Sequence, residues 1–380
     1  MNNTLLPKTW DPKRAADEVL RRSITVTAPP IQGAHDADLV IVGGRAHIVV
    51  AVNDLRAGHS DRWPETYCTM IIVDIATMTV IRSIPFARSE QSYSNTTLPF
   101  GQCFVPRLIQ KDSNTVRCYF TSQDPGIREA QVWYIDFLLD QEEFVDRIEK
   151  VKLKTSLGVF DMQPCHFHAD AAAFGFRKPA VDYGLYLCDS FKEFDGQVFV
   201  AINNYPGKQN ALARVSPSFD MFEIVGHYNE PQELDLSESA VNRLPDGTWI
   251  AICRQDTGNC NYVFATSPDG RVWTTAGERE FVSRGTNSKP TFDFFNGVYY
   301  LGWQEKAPLG AVDRSIFNID ISKDCETWER KYRFVSNHSF QYPTFKKYGN
   351  AIYFTASQGT HSYGTGGQDR IVFGVLETLS

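Results

Sequence analysis

The chain has 380 residues, 13% of them aromatic and 22% charged, with a formal net charge of −7. That acidic balance, without a dense Lys/Arg run, excludes a nucleic-acid or anionic-membrane surface, because both need a concentrated positive field. No apolar run approaches the roughly 20 residues of a spanning helix, and the Phe- and Tyr-rich composition favours packed β-sheet over a helix bundle.

Residues 1–22 include "KRAADEVLRR" and read as an N-terminal arm or short amphipathic helix. The start lacks the apolar core of a leader. A cytoplasmic protein is expected if Met1 is the native start, and a secreted or periplasmic one if a signal has been trimmed. "SITVTAP" (23–29) reads as a strand, and from there one plan recurs: a polar or aromatic start, an apolar strand, a turn, and a second strand ending in polar residues. Six copies fit, beginning at "HDADLVIVGG" (35–44), "QCFVPRLIQ" (102–110), "HFHADAAAFGF" (166–176), "ESAVNRLPDG" (238–247), "SKPTFDFFNG" (288–297) and "QYPTFKKYGN" (341–350). Each is followed by further strand-like runs, such as "QVWYIDFLL" and "RIVFGVLE". Four strands repeated at a spacing of about fifty residues predict an all-β, six-bladed β-propeller over 23–380. The N-terminal strand is expected to close the last blade and remove its free edge.

The eight cysteines (68, 103, 118, 165, 188, 253, 260, 325) form no CxxC pair and mostly lie in strand-like runs, as small buried hydrophobes do. In a propeller the starts of the first strands and the ends of the second strands share one face around a central channel. Here the starts supply His35, Gln102, His166, His168, Glu238, Ser288, Lys289, Gln341 and Tyr342. The ends supply Asn53, Asp54, Gln123, Asp124, Asn203, Asn204, Arg254, Gln255, Asp256, Gln304, Glu305 and Gln358. So uniformly polar a rim suits a polyhydroxylated ligand. His166 and His168, read as one face of a strand, could ligate a metal, but no third ligand stands out. No metal or cofactor is expected.

Two stretches, "SPDGRVW" (267–273) and "SKDCETW" (322–328), resemble the Asp box of sialidase-type propellers, although the first is one residue short and the second has Cys325-Glu326 where the glycine belongs. Such a motif is a strand-connecting turn: aspartate accepts backbone N–H bonds, glycine supplies positive φ and tryptophan packs on the blade. The order Glu238 in "ESAVNRLPDG", Arg254 in "AICRQD", Arg314 in "RSIFNIDISKDCETW" and Tyr342 in "FQYPTF" also resembles the sialidase superfamily over 235–380. The resemblance implies that Arg254 and Arg314 bind a sugar carboxylate. It further implies that Tyr342, activated by Glu238, is the nucleophile, since an anionic nucleophile would be repelled by a carboxylate at the anomeric carbon.

The family also uses an acid for the departing oxygen. "NDLRAGHSDRWPET" offers Asp61, with Glu65, Asp54 and His59 as alternatives. Where sialidases open blade one with an arginine in F/Y-R-I-P, this chain has "AHDADLV", so His35 or Asp36 stands there, and Arg107 in "FVPRL" lies one blade late. His35, Gln102, His168 and Gln341 complete the expected substrate-binding set. The expectation is an exo-acting glycoside hydrolase of sialidase type on an acidic oligosaccharide or polysaccharide end. The alternatives are a lyase cleaving beside a uronic acid, for example at a rhamnose-glucuronate cap, and a glycan-binding propeller without catalysis.

Overall fold

The computed structural model describes residues 4–57, 64–123, 130–175, 184–204, 209–229, 232–234, 236–256, 261–278, 288–305, 314–359 and 368–379. Six separate sheets, each four-stranded at its core, form the six blades of the expected propeller. Their innermost strands are Gly33–Val42, Gln102–Gln110, Lys192–Phe194, Leu236–Arg243, Thr291–Phe295 and Ser339–Tyr348. Ile24–Thr25 pairs antiparallel with Phe373 and Val372 and so closes blade six.

The middle strands of the blades are buried on both faces, and their period of two distributes side chains between neighbours. In blade four Ile250 and Ile252 face blade five, with Tyr299 and Leu301, whereas Trp249, Ala251 and Cys253 face blade three, with Ala201 and Leu212. The same alternation fills the other four junctions. Helix α1 (Pro12–Arg21), capped by Asp11 accepting from Lys13 and Arg14, buries Ala16 and Val19 against Phe334 and Leu376 across blades five and six.

Blade three departs from the expected plan. "HFHADAAAF" is not a strand start but lies in helix α2 (Pro164–Ala173), which Pro164 initiates and alanines sustain. The sheet instead gains two outer strands, Lys152–Thr155 and Gly158–Asp161, and its inner strand starts later, at Lys192. On a helix, residues two apart diverge. His166 stacks on Phe160 (ring centroids 4.3 Å), while His168 reaches Gln209 (Nδ1 to Oε1 3.3 Å), so the two do not share a face.

Around the channel each pair of neighbouring blades is joined by at least one hydrogen bond with a main-chain partner. Thr344 Oγ1 donates to the Ala37 carbonyl, Leu108 N to Asp38, Arg107 Nη2 to the Cys188 carbonyl and Val241 N to Asp189. Asn242 reaches the Phe292 carbonyl at 3.5 Å and Thr291 Oγ1 the Pro343 carbonyl at 2.5 Å.

The two Asp-box-like turns have matching bonds. Asp269 accepts from Arg271 and Val272 N–H, and Asp324 from Glu326 and Thr327 N–H. The tryptophans, Trp273 and Trp328, donate back to the carbonyls of Gly270 and Cys325. Cys325 takes the glycine's left-handed backbone (φ 60°, against 77° at Gly270).

Candidate active site

In four inner strands the register against the second strand slips by one residue at the same level, after His35, Phe104, Leu236 and Gln341. A bulge of this kind bends the strand and re-aims its side chains. In blade six it falls at Tyr342-Pro343, where proline lacks the N–H a continuous ladder needs. Tyr342 (φ 45°) and Asp36 (φ 58°) at the bulges, and Arg314 (φ 54°) two residues before the strand Ile316–Ser322, hold left-handed backbone. For residues with a Cβ this is costly and is concentrated at functional sites.

The bulges bring together residues far apart in sequence. The Tyr342 hydroxyl donates to Glu238 Oε1 at 2.7 Å and accepts from Arg254 Nη1 at 3.1 Å. Arg254 Nη1 also donates to Glu238 Oε2 at 2.6 Å, and its Nε to Asp256 Oδ1 at 2.6 Å. His35 packs on the Tyr342 ring with centroids 4.5 Å apart. Arg314 is buried and close enough for its charge to act on the phenol.

Burial first, and then the Glu238 carboxylate, push the Tyr342 phenol well above its usual pKa, with Arg254 and Arg314 opposing. Tyr342 is therefore a neutral donor at rest. Burial disfavours the Arg254 charge, but Glu238, Tyr342 and Asp256 outweigh it and hold the guanidinium well above its usual value. A neutral phenol hydrogen-bonded to a carboxylate, beside two guanidinium groups, can lose its proton to that carboxylate as it attacks an electrophile.

The remaining predicted residues have partners of their own. Gln341 lies buried beside Tyr342 and pairs with Ser357. Gln102 donates to Gln123 within blade two at 3.1 Å, and His168 sits on α2 with Gln209. Of the four candidate acids, Asp61 and His59 lie outside the described residues, Asp54 accepts from Tyr67 at 2.8 Å and Glu65 is exposed. Among the described residues no group of His, Cys, Asp and Glu suits a metal ion.

Two residues of the site were named in the sequence only by their place, Lys289 on the polar rim and Asp36 in the arginine's position, with no role of their own. Asp36, where an arginine was expected, is buried and paired with Arg107 Nη2 at 2.8 Å and Lys289 Nζ at 3.5 Å. Lys289 Nζ lies 5.2 Å from the centroid of the Tyr342 ring. A sequence signal for Lys289 did exist. Val105-Pro106, Lys289-Pro290 and Tyr342-Pro343 occupy the same place in three copies of the repeat, so Lys289 is the counterpart of Tyr342 one blade earlier.

No protein-family model and no curated protein matches the chain. Among solved structures, a protein of unknown function from Dyadobacter fermentans is similar over 94% of this chain and 98% of its own, at 13% identity and a TM-score of 0.66. Trypanosoma rangeli sialidase in complex with sialic acid matches 97% of this chain at 10% identity and a TM-score of 0.62, and the chain spans 58% of that protein. The Hadza microbial sialidase Hz136 matches 90% of this chain and 65% of its own at 12% identity, with a TM-score of 0.60. The chain thus has the sialidase-like propeller fold at a sequence identity that leaves activity to be argued from its own residues.

Proposed function

We propose that the chain is an exo-acting glycoside hydrolase that releases an acidic sugar from the end of an oligosaccharide or polysaccharide. The observation that carries this reading is the Tyr342 hydroxyl, bonded to Glu238 at 2.7 Å and approached by Arg254 at 3.1 Å. Arg254 and Arg314 hold the sugar carboxylate. Tyr342 attacks the anomeric carbon while its proton passes to Glu238, and the bond to the leaving oxygen breaks as Asp61 protonates that oxygen. Water then attacks the tyrosyl glycoside, giving a proton to Asp61, and the phenol recovers its own from Glu238.

The test is a panel of glycans ending in sialic or uronic acids, scored for released sugar and for ultraviolet absorbance. Sugar release without new absorbance, abolished in Tyr342→Phe, is the expected result. A lyase is the second reading, supported by His35 against the Tyr342 ring with Arg254 at hand for a uronate carboxylate. A new C=C absorbance in the same assay would replace the first reading with this one.

A further inference from the structure

Beneath the candidate nucleophile lies an ion cluster that the proposed chemistry does not use. Lys289 Nζ donates to the Cys188 carbonyl at 2.8 Å and pairs with Asp36 Oδ1 at 3.5 Å. Arg107 Nη2 binds the same Asp36 oxygen and the same Cys188 carbonyl, both at 2.8 Å. The three side chains are between 1% and 4% exposed and join blades one, two, three and five. Two cations share the one Asp36 carboxylate. Of the two cations it is Lys289 that faces the Tyr342 ring, at 5.2 Å, within the roughly 6 Å reach of a cation over an aromatic face.

We infer that Lys289, held in place by Asp36 and the Cys188 carbonyl, is a positioning residue that stabilises negative charge on the Tyr342 phenol through the face of its ring. This rests on the reading of Tyr342 as the nucleophile. The physical reason is a difference between states. Charge that develops on the phenolic oxygen is shared with the ring, so an ammonium facing the ring attracts a phenolate more strongly than a neutral phenol. Arg254 and Arg314 act on the same charge, with Arg254 bonded at the hydroxyl, while Glu238 and Asp256 oppose it; His35 packs on the ring and Asp36 lies behind Lys289. In a buried site such a fixed cation is not screened as it would be in water. Asp36 thereby acquires a role in the place where an arginine was expected. It does not meet the substrate, but sets the position of a lysine from across the channel.

The test needs no substrate. Incorporation of 3-fluorotyrosine lowers phenol pKa values into a measurable range, and the residue 342 resonance is assigned by its loss in Tyr342→Phe. In Lys289→Met its titration midpoint should rise by about one pH unit or more. Lys289→Arg, which keeps the charge, should restore it. A midpoint unchanged or lowered in Lys289→Met, or a resonance that titrates in none of these chains, overturns the inference. With a cleaved glycan in hand, Lys289→Met should lower kcat about tenfold at nearly constant KM. If no acidic glycan is cleaved but the titration moves as stated, the proposed function fails while the role of Lys289 stands.

Discussion

Tyr342 of blade six donates its hydroxyl proton to Glu238 of blade four across 2.7 Å, although 104 positions separate them in the chain. The pair has the arrangement of a base and the nucleophile it activates. Tyr342→Phe and Glu238→Gln should each lower kcat by about 10²–10⁴-fold, the range for a positioned proton acceptor. Binding of the released sugar, followed by calorimetry, should survive in both. Full turnover in either variant would remove the mechanism.

Acid sensitivity should report on His47 in blade one. Burial first, and then the Arg45 charge, lower its pKa from 6.5 to about 4, so it is neutral in the fold and takes up a proton only with difficulty. A depressed folded pKa means that its contribution is intact above pH 6.5 and is lost as pH falls towards 4. Asp189, raised to about 6 chiefly by burial, has the opposite sign: its contribution is present below pH 4 and is lost as pH rises through 6. His47→Leu isolates the first effect. Between pH 7 and 4.5 the variant should lose roughly 2–3 kcal/mol less stability than the parent in urea titrations at each pH.

A side chain at Gly270 is costly. A Cβ there would lie 2.7 Å from Leu212 Cδ2 and 3.2 Å from Trp249 Nε1, on backbone with φ +77°. Gly270→Ala should destabilise by about 1–3 kcal/mol. Because the turn is part of the blade scaffold and not of the Tyr342 cluster, activity per folded molecule should be unchanged. A selective loss of kcat would place this turn in the site instead.

Removal of residues 1–26 should both uncover a core face and open a sheet edge. The deletion strips α1 from Phe334 and Leu376 and leaves Phe373 and Val372 on an unpaired edge. Such an edge recruits other strands. The truncated protein should unfold at lower denaturant and associate with rising concentration, as light scattering would record. A monomeric product of parental stability would contradict this.

The propeller was legible because its strand pattern recurs along the whole chain, and the meeting of Glu238, Arg254 and Tyr342 because each stands near the end of its strand that faces one side of the ring. The sequence did not carry blade three correctly. "HFHADAAAF" has the polar start and apolar run of the other copies, and only Pro164 and the alanines mark it as helical. Nor did it reveal what Asp36 does. A carboxylate at a strand start reads as solvent-facing, and its burial depends on Arg107 and Lys289 arriving from two other blades. Such a pairing has no local signature, since it arises only once the ring has closed.

The chain of bonds around the channel gives that closure a further meaning. The oxygen that accepts from Thr291 belongs to Pro343, the residue directly after Tyr342, and Thr344 passes the connection on to Ala37, directly after Asp36. The proposed nucleophile and the ion cluster are thus adjacent stones of one arch. A blade cannot lean outward without altering the angle at which the phenol meets its carboxylate. Slow drift of blade five or six would be felt as lost chemistry well before it was seen as unfolding.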